Sequence, residues 1–225
     1  MNDQYSEQQQ AFDMAYRLGT KARQEFGFLW SDIPDPAFSE MFSAISHHLP
    51  AYTRALDIGC GDGRNSFFLG DNKLDVLGVD YAPAAVELAN ELAMIRKKPG
   101  VSFKEMDALA LPESLGTFDL VVQWSILDHF FPDQHNFFAE RLSQLAKPGG
   151  FVMLSEYSTN DTRSPAAPQR LIHEDGCVAY FFDRTEIREL YSPWFDITFH
   201  EEVRYPQLHD PAEVRCLHNM ILKRR

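Results

Sequence analysis

The chain has 225 residues and 44% hydrophobic content, enough to bury a full core as a single α/β unit. Its 21 basic and 33 acidic side chains leave a formal charge of -12, which opposes nonspecific association with nucleic acid or with anionic membrane surfaces. Cys60, Cys177 and Cys216 are far apart, so neither a disulfide framework nor a zinc motif is indicated, and a reducing cytoplasmic compartment is expected.

The first ten residues, Met1 to Gln10, are polar and acidic, without the basic start and apolar stretch of a signal peptide. Nowhere does the chain approach the ~18 continuous apolar residues that cross a bilayer. Residues 6 to 26 and 36 to 49 read as helices, separated by Ser31-Asp32-Ile33-Pro34-Asp35-Pro36, whose prolines forbid a continuous helix.

The most informative segment follows: Ala55-Leu56-Asp57-Ile58-Gly59-Cys60-Gly61-Asp62-Gly63-Arg64-Asn65. It predicts a strand over 54 to 58, a turn, and a helix over 64 to 70. Glycines at every second position allow a sharp turn and let a ligand lie against the main chain. A dinucleotide fingerprint, G-x-G-x-x-G, would place its third glycine where Arg64 stands, and Asp57 would repel a pyrophosphate placed over the turn. An ammonium group suits that charge better. The run Asp57-x-Gly59-x-Gly61-x-Gly63 resembles the first motif of the class I S-adenosylmethionine-dependent methyltransferases, whose cofactor carries an amino-acid end and no phosphate. The resemblance implies S-adenosyl-L-methionine as cofactor, with Asp57, Gly59, Cys60 and Gly61 lining its site. Cys60 has no CxxC partner, and the family uses that position for close packing.

The next apolar run, 75 to 80, ends in Asp80, about twenty positions past the turn, where a carboxylate holds ribose hydroxyls; Tyr81 adjoins it. After a helix over 83 to 97, a strand over 101 to 106 leads to Asp107. The resemblance makes Asp107 the acceptor of the adenine amino group and brings the Ala108 backbone to the ring. Both acids read alternatively as helix caps. The segment 118 to 124 resembles the family's fourth strand, adding Gln123, Trp124 and Ser125 to the cofactor set. A helix over 134 to 146 and the turn Lys147-Pro148-Gly149-Gly150 lead to a fifth strand over 150 to 157. Beyond lies a helix over 184 to 191, then an antiparallel pair over 195 to 205 and 213 to 223, matching the family's sixth and seventh strands.

The expected fold is α/β: a Rossmann-like, doubly wound, seven-stranded sheet, mostly parallel with an antiparallel last strand and helices on both faces. Residues 1–50 form a helical extension covering the cofactor site, and 51–225 the methyltransferase domain. The polar stretch 158 to 176 reads as a substrate lid or, alternatively, a surface connection.

A sulfonium methyl is already activated, so a base is needed only for a protonated acceptor. The run Ser125 to Phe131 faces the methyl group in the family, and His129 is the candidate base there, or else a hydrogen-bonded histidine lining the pocket. Glu156 and Tyr157, ending the fifth strand, and Trp30 are candidate substrate contacts. The Asn/Asp-Pro-Pro-aromatic run of base N-methylating enzymes is absent at Gln123-Trp124-Ser125-Ile126, as are the paired glutamates of arginine methyltransferases. The expected acceptor is a small molecule, with no nucleic acid, membrane or metal partner. A non-catalytic cofactor-binding regulatory domain, a protein or RNA methyltransferase and, most remotely, a nicotinamide oxidoreductase remain as alternatives. Oligomeric state and acceptor atom stay open.

Overall fold

The computed structural model describes residues 2–26, 33–165, 170–172, 178–206 and 213–225, with backbone alone for 2–4, 19–26, 170–172 and 206. The chain divides into two compact units, Met1–Leu115 and, after it, Gly116–Glu174 with Val178–Arg225.

The first unit holds α1 (Asn2–Phe26), α2 (Pro36–Ser46), β1 (Arg54–Ile58), α3 (Arg64–Asp71), β2 (Asp75–Asp80), α4 (Pro83–Arg96) and β3 (Val101–Glu105). Asp35 caps α2 by accepting from the Ala37 N–H, and Pro36 opens the helix where no donor is needed. β1, β2 and β3 pair in parallel, and β1 and β2 carry continuous apolar runs because both faces are covered. The core packs Leu56, Ile58, Val79, Phe67 and Phe103, the last two edge to face at 5.4 Å.

The second unit holds β4 (Phe118–Trp124), α5 (Pro132–Leu145), β5 (Ala146–Tyr157), β6 (Arg170–Ile172), β7 (Val178–Tyr180), α6 (Arg184–Tyr191), β8 (Phe195–Pro206) and β9 (Val214–Arg224). Asp183 and Glu186 form a reciprocal capping box at the start of α6. β4 and β5 are parallel, whereas β9 runs antiparallel to both β5 and β8. Seven strands make one sheet in the order β3-β2-β1-β4-β5-β9-β8, mostly parallel with β9 reversed, as the sequence implies.

Two expectations change. The strand after α5 begins at Ala146, directly behind the helix, and Lys147-Pro148-Gly149-Gly150 is a bulge inside the pairing. Phe118 pairs with Ala146 and Leu120 with Phe151, so the extra residues loop out, with Gly149 at φ 77°. The stretch 158 to 176 is also not loop throughout: Arg170–Ile172 is a strand, paired antiparallel with β7 in a separate two-stranded sheet. Three residues are too few for alternation to reveal a strand.

Candidate active site

In the first unit the chain leaves β1 by donating two N–H groups, from Gly59 and Cys60, to the Val79 carbonyl at 2.8 and 3.0 Å. Gly59, Gly61 and Gly63 then take φ values of 67°, 54° and 88°. Gly63 caps α3 in the left-handed region, and a Cβ there would sit 2.6 Å from the Phe103 ring, so side chains are excluded on both counts. Asp57 is buried beneath the turn and accepts the Ser66 hydroxyl at 2.6 Å, anchoring α3; burial pushes its carboxyl up to about 7. Burial also raises the Cys60 thiol, which keeps it protonated and unreactive.

Asp80 ties the turn to β2. Its Oδ2 accepts the Gly61 N–H and its Oδ1 the Ala82 N–H, both at 2.9 Å. Asp107, past β3, accepts the Leu109 N–H at 2.8 Å and the Tyr5 hydroxyl at 2.6 Å, both on Oδ1. Asp107 therefore does cap, whereas α4 starts behind Ala82 with no side-chain cap, so Asp80 holds the turn and not the helix; each keeps acceptor capacity besides, because a carboxylate offers about four lone-pair sites. Ala108 opens the short 3-10 turn that Asp107 caps.

α1 lies along this same edge. Tyr5 reaches Asp107, Gln9 donates to the Tyr81 carbonyl at 2.7 Å, and Asp13 accepts the Ala84 N–H at 2.8 Å. One turn on, the Tyr16 hydroxyl lies where a Cβ on Gly61 would go. Residues 5, 9, 13 and 16 share one helix face. The Tyr81 ring is flanked by Tyr5 at 5.8 Å and Phe12 at 6.0 Å. The polarity of α1 hid this face, because apolar periodicity does not mark a helix docked through hydrogen bonds.

In the second unit β4 delivers Gln123, buried and donating to the Tyr191 hydroxyl at 3.4 Å, and Trp124, half-buried. Ser125 then adopts φ 54°, a strained value for a side chain, held by its N–H to the Ser155 carbonyl at 2.7 Å. A 3-10 turn, Leu127–His129, follows. Glu156, at the end of β5, has no exposed surface, and its oxygens accept the Leu127 and Asp128 N–H groups at 3.2 and 2.8 Å. His129 donates Nδ1–H to the Val178 carbonyl at 2.7 Å, while Nε2 lies 4.0 Å from Asp128 Oδ1. Tyr157 stacks on Phe181 at 5.5 Å, with the Arg163 guanidinium 4.6 Å from its ring centre. Trp30 lies outside the described residues. Asp128, next to His129, was passed over in sequence because nothing in the run distinguishes a buried acid from a solvated one.

The arrangement fits a nucleoside bearing a free amino group and no phosphate. Adjacent strands end in carboxylates with acceptor capacity to spare, at a turn whose glycines admit no side chain. Residues 55–150 match the family described as Methyltransferase domain. Residues 55–150 thus carry an S-adenosylmethionine-dependent methyltransferase domain, and solved structures of the same fold hold S-adenosylhomocysteine or S-adenosylmethionine.

Among particular relatives, the 2-methyl-6-phytyl-1,4-hydroquinone methyltransferase of Synechocystis is 36% identical over 51% of this chain and 35% of its own length. The tRNA(Thr) (cytosine(32)-N(3))-methyltransferase of Saccharomyces cerevisiae is 29% identical over 60% of this chain and 24% of its own. In structure, the 1,6-didemethyltoxoflavin-N1-methyltransferase of Burkholderia thailandensis, solved with its substrate and S-adenosylhomocysteine, superposes with TM-score 0.67 at 20% identity. That match covers 93% of this chain and 86% of the other. The chain spans well under half the length of the two curated relatives. Among the described residues no helix is long and apolar enough to cross a membrane.

Proposed function

We propose that this protein transfers the methyl group of S-adenosyl-L-methionine to a small-molecule acceptor, with His129 as general base where the acceptor starts protonated. The observation that carries the base role is the tautomer of His129. Nδ1–H is committed to the Val178 carbonyl, so Nε2 holds the ring's lone pair, on a side chain that is 22% exposed. When bound, the cofactor supplies a methyl group on positive sulfur that needs alignment more than activation. The chain's part is to hold the cofactor and manage the acceptor's proton.

Asp80 takes the ribose hydroxyls; Asp107 Oδ2 and the Ala108 backbone take adenine. Asp57, Gly59, Cys60, Gly61 and Tyr81 surround the remainder, and the family resemblance alone adds Gln123, Trp124 and Ser125 to the cofactor set. The contacts of Tyr5, Gln9 and Asp13 support α1 as the cover of this site. Tyr157, stacked on Phe181, is assigned to the acceptor, and Trp30, outside the described residues, keeps that assignment from the sequence alone; Glu156, wholly buried, acts through the 125–129 turn. The free thiols of Cys60 and Cys216 suit a reducing, cytoplasmic setting.

A hydroquinone-methylating relative and the charge of -12 favour a small acceptor; a tRNA-methylating relative favours RNA. Labelled methyl transfer to a panel of phenols, hydroquinones and amines, run beside bulk tRNA, separates the two. Label in RNA alone overturns the small-molecule reading, and tight S-adenosylhomocysteine binding without any product favours a regulatory domain. His129→Ala is expected to lower kcat by about 10²-fold or more; retained turnover across pH 6 to 9 removes the base role.

A further inference from the structure

Seven buried side-chain nitrogen or oxygen atoms among the described residues have no hydrogen-bond partner, and six of them belong to Gln123, Asp128, Ser155, Arg215 and Asn219 of the second unit. Protein interiors pair nearly all such groups, so a cluster of exceptions marks a place where a bound group completes the bonding. Two of the five residues share one face of the sheet. Ser155 on β5 stands in register with Asn219 on β9, and Trp124 on β4 in register with Ser155. The preceding residue, Gln123, reaches Tyr191 of α6, so the row of Trp124, Ser155 and Asn219 lies on the face turned away from α6.

Ser155 is 0% and Asn219 2% exposed, yet Ser155 Oγ and Asn219 Oδ1 bond to nothing. If packing were their whole purpose, apolar residues of the same shape would serve as well. Their surroundings are those of a ligand pocket, mostly apolar with a few polar groups that fix orientation. Met153 and Ile221, paired one row down on the same face, are buried. Trp124, half-buried, flanks Ser155, and Tyr157 stands two positions on along β5.

Charges of both signs lie near: Arg163 and Arg215 beside the Tyr157 ring, and Glu201, exposed, next to Asn219 on β8. None reaches either orphaned atom, so a charged group buried there would go unpaired. The group that fits is neutral. Asn219 Oδ1 needs a donor, and the Ser155 hydroxyl hydrogen needs an acceptor. A hydroxyl is both at once, whereas a carbonyl or an ether leaves Asn219 unmatched.

We propose that Ser155 and Asn219 orient the methyl acceptor by binding a neutral hydroxyl on an aromatic ring: Asn219 Oδ1 accepts its O–H, Ser155 Oγ–H donates to its oxygen, and the ring lies along Trp124. This rests on the small-molecule reading above and narrows it to phenol-like acceptors. Both side chains are shut from solvent, so entry requires this end of the sheet to open, and a hydroxyl once bound is kept dry.

The test is binding of two probes to the full chain loaded with S-adenosylhomocysteine, followed by ligand-observed NMR: hydroquinone, and 1,4-dimethoxybenzene, which has the ring and both oxygens but no O–H. Hydroquinone is expected to bind about tenfold tighter, and Ser155→Ala and Asn219→Leu each to remove about tenfold of its affinity while leaving that of 1,4-dimethoxybenzene in place. Denaturant midpoints are expected to hold or rise in both variants, since neither atom has a partner to lose. Absent hydroquinone binding, equal affinity for the two probes, or affinity unmoved by the substitutions overturns the proposal, the last leaving an ordered water as the pair's partner. A lowered midpoint in Ser155→Ala also overturns it, because the hydroxyl then serves the fold. Should Asn219→Leu fail to fold, Ser155→Ala and the two probes decide alone. The methyl-transfer reading fails separately: hydroquinone held in this way and never methylated supports the subsite and counts against transfer.

Discussion

At the scale of single residues, the acids of the first unit serve the fold and the ligand together. Asp80 satisfies two backbone donors, so Asp80→Ala is expected to cost stability on the order of 2 kcal/mol and to weaken S-adenosylhomocysteine at least about tenfold. Asp80→Asn keeps an acceptor and is expected to lose less of both; calorimetry and denaturant unfolding on the two variants check this, and equal losses would sink it. Asp57 makes a pH-dependent case. Its folded value, about 7, lies above the ordinary 3.8, so between those limits the folded state binds the extra proton. Its contribution is therefore present at low pH and lost as pH rises through 7. The stability of the native protein relative to Asp57→Asn should fall between pH 4 and 8 by up to about 4 kcal/mol; a difference independent of pH would contradict it. Sequence made Asp57 legible as a flank of the glycine turn. Its bond to Ser66 was not legible, because nine residues of turn and helix separate the two and only the φ values of the turn bring them together.

Elements were legible where period or punctuation marked them. Pro36 and Pro83 open α2 and α4, and the apolar run of β1 ends at the first glycine of the turn. The bulge in β5 and the short β6 were missed, since a Pro-Gly-Gly run reads as a turn and three paired residues leave no pattern. A covering helix was expected over this stretch, but the residues that hold α1 were not legible, because its contacts are polar and spaced along one face at 5, 9, 13 and 16. That face can be tested. Tyr5→Phe removes the donor to Asp107 and nothing else, so it is expected to cost about 1 kcal/mol and to speed amide exchange in α1, leaving β1 to β3 protected. Exchange in α1 identical to that of the native protein would mean the hydroxyl does not hold the helix. The 158 to 176 stretch carries a second test. As a lid it should exchange more slowly once S-adenosylhomocysteine and acceptor are bound, and unchanged rates in all states would leave it a surface connection.

For the whole molecule, the mostly parallel sheet with its reversed last strand was legible, because strands alternate with helices and their ends fall at residues with a job, Asp57, Asp80, Asp107 and Ser125, while the order of the strands was not read from the sequence. The acceptor was not legible either, because its proposed contacts, His129 and Tyr157, meet partners distant in sequence. The cofactor class follows from charge and can be argued to a number. Asp80 and Asp107 both lie on the ligand edge of the first unit, and α3 begins behind a left-handed Gly63 with Arg64 where a dinucleotide turn needs glycine. A pyrophosphate brought there meets carboxylates whose acceptor atoms offer it no donors. Adenosine linked to an amino acid meets none of that repulsion. Calorimetry on the full chain should therefore give S-adenosylhomocysteine a Kd of about 100 μM or tighter, about −5.5 kcal/mol, and no heat with NAD at the same concentration. Raising salt to about 0.5 M should change that Kd little, because the contacts are buried hydrogen bonds beyond the reach of screening. Binding of NAD, or affinity for S-adenosylhomocysteine that collapses with salt, would overturn the charge argument built on Asp80, Asp107 and Arg64.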